Sequence, residues 1–136
     1  MRLNIADLIR EMMNNAGLSD LVDPKLDEHS TVTFSMKEGI PSIHIVNDGN
    51  NEVWIWATLG EFNLNSLIYY SAELLPLMLM NDERFFVLGQ PCLYLQDDAL
   101  ILRAMVKDEH LYSSDAFSIC LDSFLRLVQK YKDVLI

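Results

Sequence analysis

The sequence predicts an α+β fold in the order α-βββ-α-ββ-α, and three observations carry that prediction. Apolar residues recur at helical spacing near both ends and in the middle of the chain. Between those stretches they alternate with a period of two. Asn, Asp and Gly clusters punctuate the alternating runs. The 136 residues read as one domain, 1–136, long enough to bury a core of its own.

The first element is an amphipathic helix over 4–16, where Ile5, Leu8, Ile9, Met12, Met13 and Ala16 fall on one face. Asn4 supplies a cap, Asp7 suits the positive first turn, and Gly17 suits the exit. Asp23-Pro24 marks a loop. From Ser30 the period becomes two: Val32, Phe34 and Met36 alternate with Thr31, Thr33 and Ser35, and after Gly39 and Pro41, Ile43 and Ile45 alternate with Ser42 and His44. The run Asn47-Asp48-Gly49-Asn50-Asn51 is turn chemistry. It leads into a third strand ending near Gly60, which completes an antiparallel meander.

Helical character returns over 64–80 with Leu64, Leu67, Ile68, Leu74, Leu75, Met78 and Leu79. Pro76 lacks an amide proton and its ring collides with the carbonyl four residues earlier, so a kink or two shorter helices are expected there. The apolar residues spread nearly around this element, which predicts burial on more than one side. After a break at Asn81-Asp82-Glu83, Leu93 and Leu95 pass through Asp97-Asp98 into Leu100, Leu102, Ala104 and Val106, a second hairpin. A last helix runs from about Ser114 to Tyr131, capped by Ser113 or Ser114. Phe117, Ile119, Cys120, Phe124, Leu127, Val128 and Tyr131 form its apolar side.

Within the meander, Val53-Trp54-Ile55-Trp56-Ala57 is apolar on both faces. Val53, Ile55 and Ala57 point one way and both tryptophans the other. A sheet with one wet face should alternate apolar with polar. Two apolar faces need two covers: one is the chain's own helices, and the other is more of the chain, a second copy, or a different protein.

Charge narrows the partners. Twenty acidic against ten basic residues give a formal charge of −10, and the basic residues are scattered singly. Phosphate backbones and anionic membranes demand clustered Lys and Arg, so neither nucleic acid nor membrane is expected as a partner. The N-terminal segment meets a charge too early for a signal-peptide core, and no apolar run reaches the ~20 residues of a spanning helix. Cys92 and Cys120 stand apart without metal-type spacing. Two reduced thiols in a cytosolic protein are expected.

No chemistry stands out. His29, His44 and His110 lie near no Cys or second His at ligand spacing, so no metal is expected. No nucleophile elbow occurs, and the five glycines are too dispersed to cradle a phosphate. The acidic pairs Asp82-Glu83 and Asp97-Asp98 fall at turns, where solvated carboxylates are ordinary. The chain therefore reads as a non-enzyme without cofactor, an acidic α+β domain that associates with protein.

Three segments carry a family resemblance: Leu26-Asp27-Glu28-His29-Ser30-Thr31, then Ile40-Pro41-Ser42-Ile43, then Val53-Trp54-Ile55-Trp56-Ala57 followed by Leu59-Gly60. Together they resemble the class IB chaperones of bacterial type III secretion systems, the invasion-protein-B or SpaK-like family. The likeness extends through Leu100-Ile101-Leu102-Arg103-Ala104-Met105-Val106 and the final helix. It implies a cytoplasmic homodimer without ATPase activity that holds an N-terminal region of several secreted effectors extended and export-competent. It also implies that part of the client adds as a strand beside the sheet, with side chains set into apolar patches.

Apolar alternation and this analogy together nominate Met12, Met13, Phe34, Ile43, Ile45, Trp54 and Trp56 for partner binding. Leu67, Tyr70, Leu74 and Met78 on the second helix are nominated for the dimer interface. The rival readings use the same tryptophan-rich face otherwise: a small-molecule pocket would be a closed apolar cavity with convergent polar groups, and an adaptor would bind a folded partner.

Overall fold

The computed structural model describes residues 4–22, 25–27, 30–35, 39–48, 52–80 and 84–135. Five strands form one antiparallel sheet in the order β1-β2-β3-β5-β4: β1 (Val32–Phe34), β2 (Ile43–Asn47), β3 (Val53–Glu61), β4 (Cys92–Gln96) and β5 (Ala99–Met105). The meander and the second hairpin expected from the sequence are both present, joined by the pairing of β3 with β5. Met36, the break at 81–83, the Asp23-Pro24 loop and His29 lie outside the described residues.

Alternation along β3 places its side chains as the period requires. Val53, Ile55, Ala57 and Leu59 are buried, while Trp54 and Trp56 are only half-buried. The register extends this division across the sheet. Ile45 lies opposite Ile55, and Ile55 opposite Ala104, on the core side; His44, Trp56, Arg103 and Cys92 form a row on the other. Between Thr58 and Gly60 the pairing shifts by a bulge. Gly60 holds φ at 148°, where a Cβ would stand 2.9 Å from the Phe62 ring. Only glycine adopts that backbone without strain.

Aspartates act at two of the hairpin connections. Asp48 Oδ1 accepts from the Glu52 amide at 3.1 Å, which anchors the β2–β3 connection. In the β4–β5 turn, Asp97 and Asp98 hold φ at 51° and 65°, as a two-residue hairpin loop requires. Aspartate tolerates this left-handed region better than most side chains, and both residues are exposed.

Helix α1 (Ile5–Asn15) begins where the Asn4 side chain accepts from the Asp7 amide at 2.9 Å. It buries Ile5, Leu8 and Ile9. Helix α4 (Ser114–Val134) starts with Ser113 accepting from the Ala116 amide at 3.2 Å and runs three residues past the expected end at Tyr131. Phe117, Cys120, Phe124, Val128 and Tyr131 are buried on its inner face, and their cluster also contains Ile55, Leu102 and Phe86. Lys132 Nζ donates to the Leu59 carbonyl at 3.1 Å, fastening the end of α4 to β3. Ile119, expected on the apolar side of α4, is instead 59% exposed.

The middle helix divides into two, as anticipated, but not at the proline. Helix α2 (Leu64–Ile68) and helix α3 (Ser71–Leu79) meet at Tyr69–Tyr70, and Pro76 lies inside α3. The break falls where Tyr70 meets Phe62 edge-on at 6.4 Å. Within so short a helix the proline forfeits one backbone hydrogen bond, that toward Ala72. The capping box of Asn63 and Ser66 starts α2, with the Ser66 amide donating to Asn63 Oδ1 at 2.9 Å.

Candidate binding surfaces

Three surfaces leave apolar side chains open. The first lies between α1 and β1. Among the described residues β1 pairs only with β2, at the end of the strand order, so it forms an edge of the sheet. Such an edge is a template for a further strand. Beside it runs a groove of about 610 Å³ whose walls include Ile9, Met13, Leu18, Leu21, Val32 and Phe34. On the far side of Phe34 a second groove of about 220 Å³ is walled by Met12, Phe34, Ile43, Leu121 and Leu125. Phe34 is common to both, and the edge strand sets it there by its register with Ile43. Arg10 fixes one rim by donating to the Leu26 carbonyl.

The nominated residues therefore separate. Met12, Met13 and Phe34 converge at the α1–β1 edge. Ile45 is fully enclosed, at 0% exposure, and Ile43 shows only 2%, reaching the second groove as its floor. Ile45 belongs to the core because its strand neighbours Ile55 and Val32 lie on the helix-covered side, so it offers no surface to a partner. Leu18, Leu21, Leu121 and Leu125 complete the grooves. The sequence reading missed them because a short 3-10 turn at Ser19–Leu21 shows no periodicity and the outer face of α4 is legible only once α1 is placed beside it.

Trp54 and Trp56 lie on the opposite sheet face, and their contacts there are with polar neighbours. The Arg103 guanidinium sits 4.1 Å from the Trp54 ring centroid, and Trp54 Nε1 donates to Asp48 Oδ2 at 3.2 Å. His44 stacks on Trp56 at 5.3 Å, and its Nδ1 lies 2.9 Å from the Thr33 hydroxyl. Both tryptophans are half-buried on that sheet face.

The third surface is α2–α3. Leu64, Ile68, Tyr69, Leu75, Met78, Leu79 and Met80 are exposed, seven of the twelve exposed large apolar side chains among the described residues. That concentration exceeds what scattered surface leucines explain. A groove of about 680 Å³ separates this stripe from Leu93, Tyr94 and Leu95 of β4. Of the four dimer nominees, Met78 is exposed at 43%. Leu74 is buried at 6%, and Leu67 and Tyr70 pack against the core. The outward residues lie at neighbouring positions, because placing the break at Tyr69–Tyr70 turns α3 so that Leu74 faces inward.

Among the described residues, no three His, Cys, Asp or Glu side chains approach closely enough to hold a metal. His110 Nε2 lies 2.6 Å from the Arg84 carbonyl oxygen, a structural contact. Cys92 and Cys120 form no disulfide. Burial pushes the Tyr131 hydroxyl up to about 12. No described helix is long and apolar enough to cross a membrane.

Residues 17–97 match the model of the Invasion protein B family. The chain belongs to that family. It is 30% identical over 129 residues to the surface presentation of antigens protein SpaK of Salmonella typhimurium, and equally to that of Salmonella typhi, covering 95% of this chain and 93% of each relative. The SpaK-like resemblance read from Leu26–Thr31, Ile40–Ile43 and the tryptophan strand is thus borne out, and with it membership of a type III secretion chaperone family. The fold is similar to that of the Yersinia pestis type III secretion chaperone SycH, solved in complex with a stable fragment of YscM2. The TM-score is 0.58 at 14% identity, over 90% of this chain and 95% of that one.

Proposed function

We propose that this chain acts as a single secretion-chaperone domain that binds the N-terminal region of effector proteins and keeps it extended for export. It works in the bacterial cytoplasm, as a homodimer, without nucleotide or metal. The observation that carries the reading is the sheet edge at β1 flanked by two apolar grooves that share Phe34. An extended segment laid along β1 gains backbone hydrogen bonds whatever its sequence, while alternate side chains enter the grooves. Met12 and Met13 on the walls adapt to different side chains, which suits several clients. SycH, which shares the fold, was crystallised with a fragment of another protein. The α2–α3 stripe supports the dimer, since a second copy brings the same apolar patch to the two-fold axis.

Capture of a labelled effector N-terminal region, read by affinity and by its protection from protease, tests the proposal. Phe34→Glu should abolish capture. Leu21→Glu, at a position 72% exposed, should weaken it at least tenfold without cost to folding. Full capture by a folded Leu21→Glu protein, together with full capture by Phe34→Ala, would overturn the reading.

A further inference from the structure

On the other side of α4 from the smaller Phe34 groove lies a cavity of about 730 Å³ whose described walls carry more cations than carboxylates. Three of the chain's ten basic residues, Arg84, Arg126 and Lys130, line it. Asp122 is the acidic residue among its described walls. The net charge of the whole chain is −10, so this concentration of cations is not a sample of the average surface. Apolar walls lie between the cations, among them Phe85, Ile119 and Leu127.

The cationic rim is held in place. The Arg84 guanidinium lies 5.2 Å from the centroid of the Phe85 ring; Phe85 packs on His110 at 5.1 Å; and His110 Nε2 returns to the Arg84 carbonyl oxygen at 2.6 Å. Arg126 is oriented by Asp122 at 3.1 Å. Cations fixed against aromatic and carboxylate neighbours lose less freedom when an anion arrives.

The cavity also joins the grooves. Asp122 lines both this cavity and the smaller Phe34 groove. On the α4 wheel, Ser118, Leu121 and Leu125 face that groove, whereas Ile119, Arg126 and Lys130 face the cavity, with Asp122 on the ridge between them. The two faces are roughly 120° apart at 100° per residue. Around a helix about 11 Å across, that arc is about 11 Å, or three to four residues of extended chain.

We propose that the cavity is a second station on the client path, taking an acidic segment that lies about four residues beyond the apolar side chain seated against Phe34. Carboxylates pair with Arg126 and Lys130 while intervening apolar side chains meet Phe85, Ile119 and Leu127. This rests on the client reading above, and extends it by naming the chemistry of a particular part of the client. Charge complementarity excludes clients that are basic at that register and gives selectivity that backbone pairing at β1 lacks.

Three synthetic peptides test it against the full chain. One carries an apolar β-strand block alone; the second adds a four-residue Gly/Ser spacer and a Leu-Glu-Glu-Leu block; in the third, lysines replace the glutamates. The acidic peptide should bind roughly tenfold more tightly than the lysine peptide, from a few exposed ion pairs acting together. That advantage should vanish at high salt and in Arg126→Glu/Lys130→Glu, whose side chains are exposed and whose change leaves the core intact. Equal binding of the two charged peptides, with the apolar peptide still dependent on Phe34, overturns the second station and leaves the client reading standing. An apolar peptide that does not bind, or is indifferent to Phe34→Ala, overturns both. A change of oligomer mass in the double variant assigns the cavity to contacts between copies and overturns the inference.

Discussion

Leu75→Ala separates the surface of the subunit from its core at the α2–α3 stripe. Leu75 is 57% exposed in the single chain, so truncating it should change subunit stability by no more than about 0.5 kcal/mol. In a dimer built on this face the exposed part becomes buried. Full burial of a leucine contributes about 1.5–3 kcal/mol, and the portion still exposed accounts for about 1–1.5 kcal/mol of that. A two-fold interface contains the residue twice, so dissociation should become easier by about 2–3 kcal/mol, a roughly 30- to 150-fold rise in Kd. Sedimentation equilibrium across micromolar concentrations reads this directly, with urea denaturation of the monomeric form as the control. A Kd within threefold of the unmodified protein would refute the assignment of this face, and a monomer at all concentrations before mutation would refute the dimer itself.

Other consequences can be measured on the same material. Ile45→Ala should lower unfolding free energy by about 2–4 kcal/mol in chemical denaturation, because its 0% exposure places it wholly in the core; a loss below 1 kcal/mol would count against that placement. Gly60→Ala should destabilise by about 1–3 kcal/mol, since φ of 148° and a Cβ 2.9 Å from Phe62 leave it no relaxed geometry, and an unchanged denaturation midpoint would argue against the bulge. Tyr131 keeps its proton in the folded state up to about 12, against 10.0 for an ordinary tyrosine. Between those values the unfolded chain has released a proton that the native one retains, so stability falls as pH rises, by about 1.4 kcal/mol per unit. Tyr131→Phe should flatten that part of the decline between pH 10 and 11, and identical slopes in the two proteins would refute it.

Much of the fold was legible from local pattern. Asn4, Ser113 and Gly17 marked helix ends because capping chemistry is a property of a few neighbouring residues. Val53 to Ala57 announced two apolar faces because side-chain alternation in a strand needs no knowledge of the rest of the chain. The family segments were legible for the same reason. The groove linings were legible only in part: Met12, Met13 and Phe34 were among the nominated residues, whereas Leu18, Leu21, Leu121 and Leu125 were not.

Periodicity states that a helix has an apolar stripe but not how wide a part of it neighbouring elements will cover. Sequence alone thus determined the elements, their order and the two-faced character of β3. Tertiary structure decided that β3 pairs with β5, that Ile45 and Leu74 turn inward while Ile68 and Leu75 stay out, and that Phe34 stands between two grooves. Those outcomes depend on contacts between residues far apart in the chain, and a local repeat carries no information about which distant surface will meet it.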